Sequence, residues 1–299
     1  MRIRPSGRRQ RSPATGSSPF PHELTFEERK AAAVELARWI ADRYGVAVDP
    51  GMHRPDLEAG SNERMAATIP PVTAKPTFAI RKPPAVTFEL AAFEPKGGEM
   101  PATEEEGRND PSPGDGGPAL TALRRAVAER RNILIAGSTG SGKTSCLSAL
   151  LQIPSVQRDR CLVLEDTREI AVPAADHVRM LTSPEVPMRA LVQLLPPDRI
   201  ILGEVRSGDA AIELIHAMNT GHSGSFCTVH ANSAHDALGR LEDLCAEVCP
   251  QPPCRSIATA IGCIAFLRRT STGREISEVL FVDGWDGGYV VRDRRGENL

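Results

Sequence analysis

Eight consecutive residues, Gly137-Ser138-Thr139-Gly140-Ser141-Gly142-Lys143-Thr144, satisfy every fixed position of the phosphate-loop pattern G-x-x-x-x-G-K-[ST]. Glycines let backbone N–H groups converge on phosphate oxygens, and a helix opening at Lys143 adds the positive end of its dipole. Lys143 would reach the β- and γ-phosphates, the Thr144 hydroxyl would ligate Mg²⁺, and Ser145 would follow in the first helical turn. An incidental lysine in a glycine-rich turn would lack the flanks present here. Residues 132–136 (Asn-Ile-Leu-Ile-Ala) read as a short buried strand, and residues 143–153 read as a helix stopped by Pro154. The expected ligand is a nucleoside triphosphate.

Other residues of the right chemistry follow other apolar runs. Residues 161–164 lead into Glu165-Asp166, residues 200–202 lead through Gly203 into Glu204, and residues 225–229 lead into His230. In an open α/β sheet, ligands bind beyond the carboxyl ends of the strands, so four such strand ends read as one site. Phosphoryl transfer to water needs a held metal, an oriented water and neutralised charge. Glu204 suits Mg²⁺ held through water, or orientation of the attacking water; the structural alternative is an ion pair with Arg206. Glu165 or Asp166 would polarise the water, against an ion pair with Arg168. His222 and His230 flank one strand and read as a relay of nucleotide state, while His216 and His235 fall on helices and read as structural. Arg81, Arg168, Arg206 and Arg240 are candidates for charge neutralisation, although spacing alone makes each an ordinary salt-bridge partner.

These residues must be positioned by alternating strands and helices. From Ala119 onward, helix-spaced Leu120, Leu123 and Val127 precede the loop strand. Further helices are expected from Ser183-Pro184-Glu185, over residues 208–218 and from Ser233-Ala234-His235-Asp236, and strands over 161–164, 199–202, 225–229 and 263–267. A hairpin is expected across 283–288. Short apolar strands between helices imply an α/β fold, with a mostly parallel sheet covered on both faces. Upstream, residues 1–21 read as a disordered basic tail. Residues 22–94 read as a partial α+β domain, in which Thr25-Phe26-Glu27-Glu28 caps a helix running to Tyr44, and residues 95–118 read as an acidic Pro/Gly-rich linker. The nucleotide-binding domain is then 119–299.

Composition narrows the class. The 299 residues are 40% hydrophobic with a formal net charge of −2, which fits a globular chain and argues against bulk electrostatic attachment to nucleic acid. No apolar run reaches the roughly 18 residues of a membrane span, and the basic N-terminus lacks the apolar region of a secretory signal, so a cytoplasmic location is expected. Seven cysteines are expected to be reduced thiols, and the spacing of Cys245, Cys249, Cys254 and Cys263 matches no common zinc pattern.

Taken together, GSTGSGKT (137–144), LEDTREI (164–170), PPDRIILGEVRSGDA (196–210) and AMNTGHSGSFCTVHANSAHDALGRLEDL (217–244) resemble the Walker A, Asp-box, Walker B and His-box elements of the type II/IV secretion-system ATPases, in particular the conjugal-transfer branch of the TrbB kind. Residues 64–94, with Ala67-Thr68-Ile69-Pro70-Pro71-Val72 and the stretch from Pro76 to Lys82, resemble the end of that family's N-terminal domain, which here reads as truncated. The resemblance implies a RecA-like P-loop core and ATP and Mg²⁺ as ligands. It carries over Lys143 and Thr144 as nucleotide and metal ligands, Glu165 as general base, Glu204 as the Walker B acid, His222 and His230 as the His-box pair, and Arg81 as a linker arginine approaching the phosphates. It further implies a homohexameric ring at the inner face of the inner membrane. That ring would work with membrane components of a conjugation or secretion channel, without sequence-specific nucleic-acid contact. A nucleotide-binding subunit with weak turnover, a pilus or type II secretion ATPase of the same superfamily, and a small-molecule P-loop kinase are the alternatives. No arginine-rich lid of a kinase and no LSGGQ-like signature is present.

Overall fold

The computed structural model describes residues 64–68, 77–81, 86–95, 117–166, 168–181, 188–293 and 297–298. The expected basic tail, the helix after Thr25, the linker interior and the Ser183-Pro184-Glu185 helix start lie outside them. Two strands, β1 (Arg64–Thr68) and β2 (Thr77–Arg81), form an antiparallel pair, with Arg64 opposite Arg81.

The second unit is an eight-stranded sheet. Its strands are β3 (Ile133–Gly137), β4 (Cys161–Glu165), β5 (His177–Leu181), β6 (Arg199–Leu202), β7 (Phe226–Val229), β8 (Cys263–Arg269), β9 (Arg274–Trp285) and β10 (Tyr289–Asp293). They lie in the order β10-β9-β8-β3-β7-β6-β4-β5. From β8 to β5 all neighbours are parallel, and β9 and β10 extend one edge antiparallel. The expected mostly parallel sheet is what forms.

Why the strands read as unbroken apolar runs is plain from their burial. Every residue of β3, β4, β6 and β7 is buried, as strands covered on both faces require. Alternate residues feed opposite cores, since side chains alternate along a strand. Leu134, Leu162, Ile200 and Cys227 pack with helices α4 (Met188–Leu194), α5 (Gly208–Asn219), α6 (Asp236–Ala246) and α7 (Cys254–Ala260). Ile133, Ile135, Val163, Ile201 and Phe226 pack with α1 (Pro118–Ala128) and α2 (Lys143–Leu150).

Several expectations shift. Helix α2 ends at Leu150 rather than running to Pro154. That proline instead opens a one-turn helix, α3 (Pro154–Gln157), at a position where its missing N–H costs nothing. The terminal hairpin turns at Asp286, whose N–H bonds the Gly288 carbonyl at 2.9 Å, with Trp285 and Tyr289 edge-to-face across it. Leu90 and Phe93, assigned by sequence to the N-terminal domain, are 5% and 2% exposed in the core beneath α1 and α2. Glu94 then accepts the Gly117 N–H at 2.8 Å, so both ends of the expected linker sit on the unit built around the eight-stranded sheet. That domain therefore takes in residues 90–94, and 119 is too late a start.

The amino ends of the strands are closed by one buried cation. Arg199 is 1% exposed; it donates to Asp159 and to the Gly224 carbonyl, each at 2.5 Å, and lies over the Phe226 ring. Gly224 has φ +83°, and a Cβ there would sit 2.3 Å from the guanidinium. Asp159→Ala leaves this guanidinium without its carboxylate. It is expected to lower unfolding stability by about 3 kcal/mol, read as a shift of the urea midpoint at unchanged slope.

Candidate functional site

At the opposite edge, beyond the carboxyl ends of β3, β6 and β7, the expected chemistry converges. The loop between β3 and α2 turns through Gly137, Gly140 and Gly142, all with positive φ. Gly137 is required on packing grounds as well, because a Cβ there would fall 2.5 Å from the Leu267 carbonyl and 2.6 Å from Ser141 Oγ. The Ser141 N–H closes a turn onto the Ser138 carbonyl, while its own hydroxyl is buried with no hydrogen-bond partner. An unpartnered donor inside a glycine-rich loop suits an anionic ligand.

Lys143 opens α2 and is 7% exposed. Its ammonium donates to the carbonyls of Gly137 (2.9 Å) and Ser138 (3.2 Å) and lies 3.1 Å from His230 Nδ1. His230 ends β7, and its Nε2 is 2.9 Å from Glu204 Oε1. An ammonium has no acceptor, so His230 accepts the Lys143 hydrogen bond at Nδ1 and donates from Nε2 to Glu204. Arg206 joins the other Glu204 oxygen (2.7 Å) to Asp166 (2.5 Å). The chain Lys143–His230–Glu204–Arg206–Asp166 thus crosses the sheet edge. Its members are aimed by the strand ends, with the Gly203 N–H on the Leu164 carbonyl, the Val205 N–H on the Thr228 carbonyl, and the Thr228 hydroxyl on the Gly203 carbonyl.

Burial, and next the Lys143 charge, hold the His230 pKa below its ordinary value, against the opposing pull of Glu204. The histidine is therefore neutral at neutral pH, as its acceptor role requires. Thr144 and Ser145 continue into the first turn of α2, both half-buried.

The adjacent acids part ways. Asp166 belongs to the chain just described. Glu165 is 3% exposed and turns inward, accepting the N–H groups of Glu169 (2.8 Å) and Ile170 (2.7 Å) and Arg179 (2.9 Å). Three of the roughly four lone-pair sites on its carboxylate are taken. Successive residues at a strand end point to opposite faces, which is why Glu165 and Asp166 separate. Its expected partner Arg168 lines, with Ser145, Ser148, Phe88 and Arg179, a cavity of about 250 Å³. Arg240 lines a wider cleft of about 690 Å³ beside Ser138, Thr139 and His230.

One expected member does not arrive. His222 precedes β7, and its Nδ1 contacts the Pro197 carbonyl at 2.8 Å, before β6. It sits at the amino edge of the sheet, a full strand (~13 Å for four residues) from His230, so the histidines form no pair within one chain. The side chain of Arg81, at the end of β2, lies outside the described residues. Arg179 and Arg274 escaped the sequence reading. Arg274 donates to the Gly140 carbonyl at 3.0 Å from 134 positions away, and no local pattern marks such a contact.

All seven cysteines are free thiols, and among the described residues no cluster of His, Cys, Asp or Glu is arranged to hold a metal by itself. No described helix is long and apolar enough to cross a membrane.

The sequence profile of the family described as "Type II/IV secretion system protein" matches residues 117–272, which hold the phosphate loop, both acids and His230. The chain belongs to that family. It is 37% identical over 230 residues to a probable conjugal transfer protein TrbB of Sinorhizobium fredii, covering 75% of this chain and 66% of that protein. It is 32% identical over 291 residues to the type IV secretion system protein PtlH homolog of Bordetella bronchiseptica, covering 87% and 83%. The chain thus spans just under two thirds of the TrbB relative. Its fold is that of the pilus retraction motor PilT with bound ADP, at 19% identity, TM-score 0.50, and 73% and 58% coverage. This type II/IV secretion chain is of the conjugal-transfer kind in its sequence relatives and RecA-like in its fold.

Because the Lys143 ammonium depresses the His230 pKa, Lys143→Met should move its imidazole titration upward, toward the ordinary value near 6.5. In the unaltered chain the stabilising, neutral form is complete above about pH 6.5 and is lost as pH falls through the lower folded value. Imidazole NMR titration of the two proteins reads both.

Proposed function

We propose that this chain hydrolyses ATP with Mg²⁺ as one subunit of an oligomeric motor for conjugative transfer or type IV secretion. The observation that carries the reading is the line from the phosphate-loop ammonium through His230 to Glu204, which links a phosphate-contacting cation to an acid on a neighbouring strand.

Each residue has a definite task. The loop N–H groups and the Ser141 hydroxyl would surround the β-phosphate, with the helix α2 terminus behind them. A γ-phosphate oxygen competes with His230 for the Lys143 ammonium, and the stronger charge-assisted bond is to phosphate. His230 then loses its donor and turns with Glu204, so that nucleotide occupancy is transmitted to β6 and β7. Thr144 and, through water, Glu204 would hold Mg²⁺, which keeps much of its shell as water and phosphate oxygen and needs no all-protein cage. The ion would neutralise charge developing on the phosphates. Glu204 orients the attacking water and is the proposed base in this geometry. Glu165 is the alternative, reached by release of the 169–170 turn. Arg206, already bridging Glu204 and Asp166, adds positive charge beside the phosphates.

At the level of the assembly, we place this chain in a homohexamer at the inner face of the inner membrane, engaging membrane components of a transfer channel. Family membership and the conjugal relatives support that placement, and the net charge of −2 agrees with force applied without sequence-specific DNA contact.

Lys143→Ala is expected to abolish turnover and weaken nucleotide binding, read by phosphate release and by titration with a fluorescent ADP. Glu204→Gln should slow hydrolysis ~10²–10⁴-fold with nucleotide still bound and thermal stability retained. Glu165→Gln should lower the melting temperature, because in either orientation its amide NH₂ would face a donor, the Glu169 and Ile170 N–H groups or the Arg179 guanidinium. A stable Glu165→Gln protein that binds ATP and does not turn over would move the base to Glu165.

A further inference from the structure

Arg274 lies at the start of β9, on the strand edge added beyond the parallel sheet, and it touches the phosphate loop twice. Its Nε donates to the Gly140 carbonyl at 3.0 Å. Its stem occupies the space left by the absent side chain of Gly142, where a Cβ would fall 2.6 Å from Arg274 Cδ and 3.5 Å from the Phe93 ring. Phe93 is 2% exposed and forms the fixed wall on that side. Among the described residues, the carbonyl of Gly140 is the one polar partner of the Arg274 side chain.

We infer that Arg274 is a positioning residue for the phosphate loop: it locks the Gly140–Ser141 peptide plane so that the loop N–H groups face the β-phosphate. The inference rests on the nucleotide-binding reading above. Its physical basis is peptide geometry. A trans peptide carries its C=O and N–H on opposite sides, so holding the Gly140 carbonyl outward keeps the Ser141 N–H on the inner side, where it closes the turn onto the Ser138 carbonyl that shapes the loop. Gly140 has φ +76° and nothing within 4 Å of where a Cβ would be, so no packing of its own adds to the Ser141–Ser138 turn in fixing that plane. A guanidinium on the carbonyl also polarises the same amide, strengthening what its N–H offers an anion. Pre-set donors improve binding because less freedom is lost when the ligand arrives.

Arg274 is exposed, so replacing it should leave the core intact. Arg274→Ala in the full chain should bind ADP and ATP about tenfold more weakly, measured by calorimetry, with an unchanged melting temperature. AMP, which lacks the β-phosphate, should lose no more than about twofold. Methylguanidinium added at millimolar concentration should restore ADP affinity to Arg274→Ala and do nothing for the unaltered protein. Arg274→Lys should recover only part of the affinity, since its amine lies one bond farther from the stem. Unchanged ADP affinity in Arg274→Ala overturns the inference, as does equal weakening of AMP and ADP without methylguanidinium rescue. If the unaltered chain binds none of the three, the nucleotide reading itself fails.

Discussion

A buried ammonium is a demanding thing to hold in a protein. Lys143 donates to two loop carbonyls and one neutral imidazole, none of which cancels its charge. That arrangement suits a cation meant to exchange partners, because a buried ion pair with Glu204 would be far harder to break. His230 keeps the acid one ring away while still connecting it. The loop, the β7 end and the β6 end all have to be where they are for this spacing to exist.

The sheet meets that requirement through its burial. Four strands with no exposed residue cannot slide by one position without swapping their two cores. Their carboxyl ends are therefore fixed to one another, and side chains attached there inherit the same precision. The amino ends are tied separately by Arg199, which reaches Asp159 and the loop before β7. One edge of the sheet is thus closed by satisfied polar contacts, while the other keeps an unpartnered hydroxyl and a cation that donates to loop carbonyls and an imidazole. This division separates structural polarity from functional polarity, and it explains why His222 contacts Pro197 rather than a phosphate loop.

Much of this was legible from residues alone. The strand–glycine loop–helix order, the start of α6 after Ser233, whose hydroxyl accepts the Asp236 N–H, and the apolar runs β4, β6 and β7 depend on short-range patterns. Edge strand β5 was not legible, since its half-exposed residues lack both an unbroken apolar run and a clean alternation. Long β9 and helix α7 were hidden for a related reason: glycine and proline punctuation near them reads equally well as loop. Leu90 and Phe93 were assigned to the wrong domain because a linker sequence hides how soon the chain returns to the same core.

What the sequence determined by itself was the kind of chemistry: a phosphate loop, two acids and a histidine at strand ends, each specified by residues within about ten positions of one another. Only the tertiary structure decided which of these meet. It joined His230 to Lys143 and Glu204, sent Glu165 inward to Arg179, left His222 at the far edge and brought Arg274 onto Gly140. The physical reason is that motif spacing records local backbone geometry. Which side chains share a hydrogen bond across a sheet depends on strand order and side-chain direction, and neither is written in any one stretch of the chain.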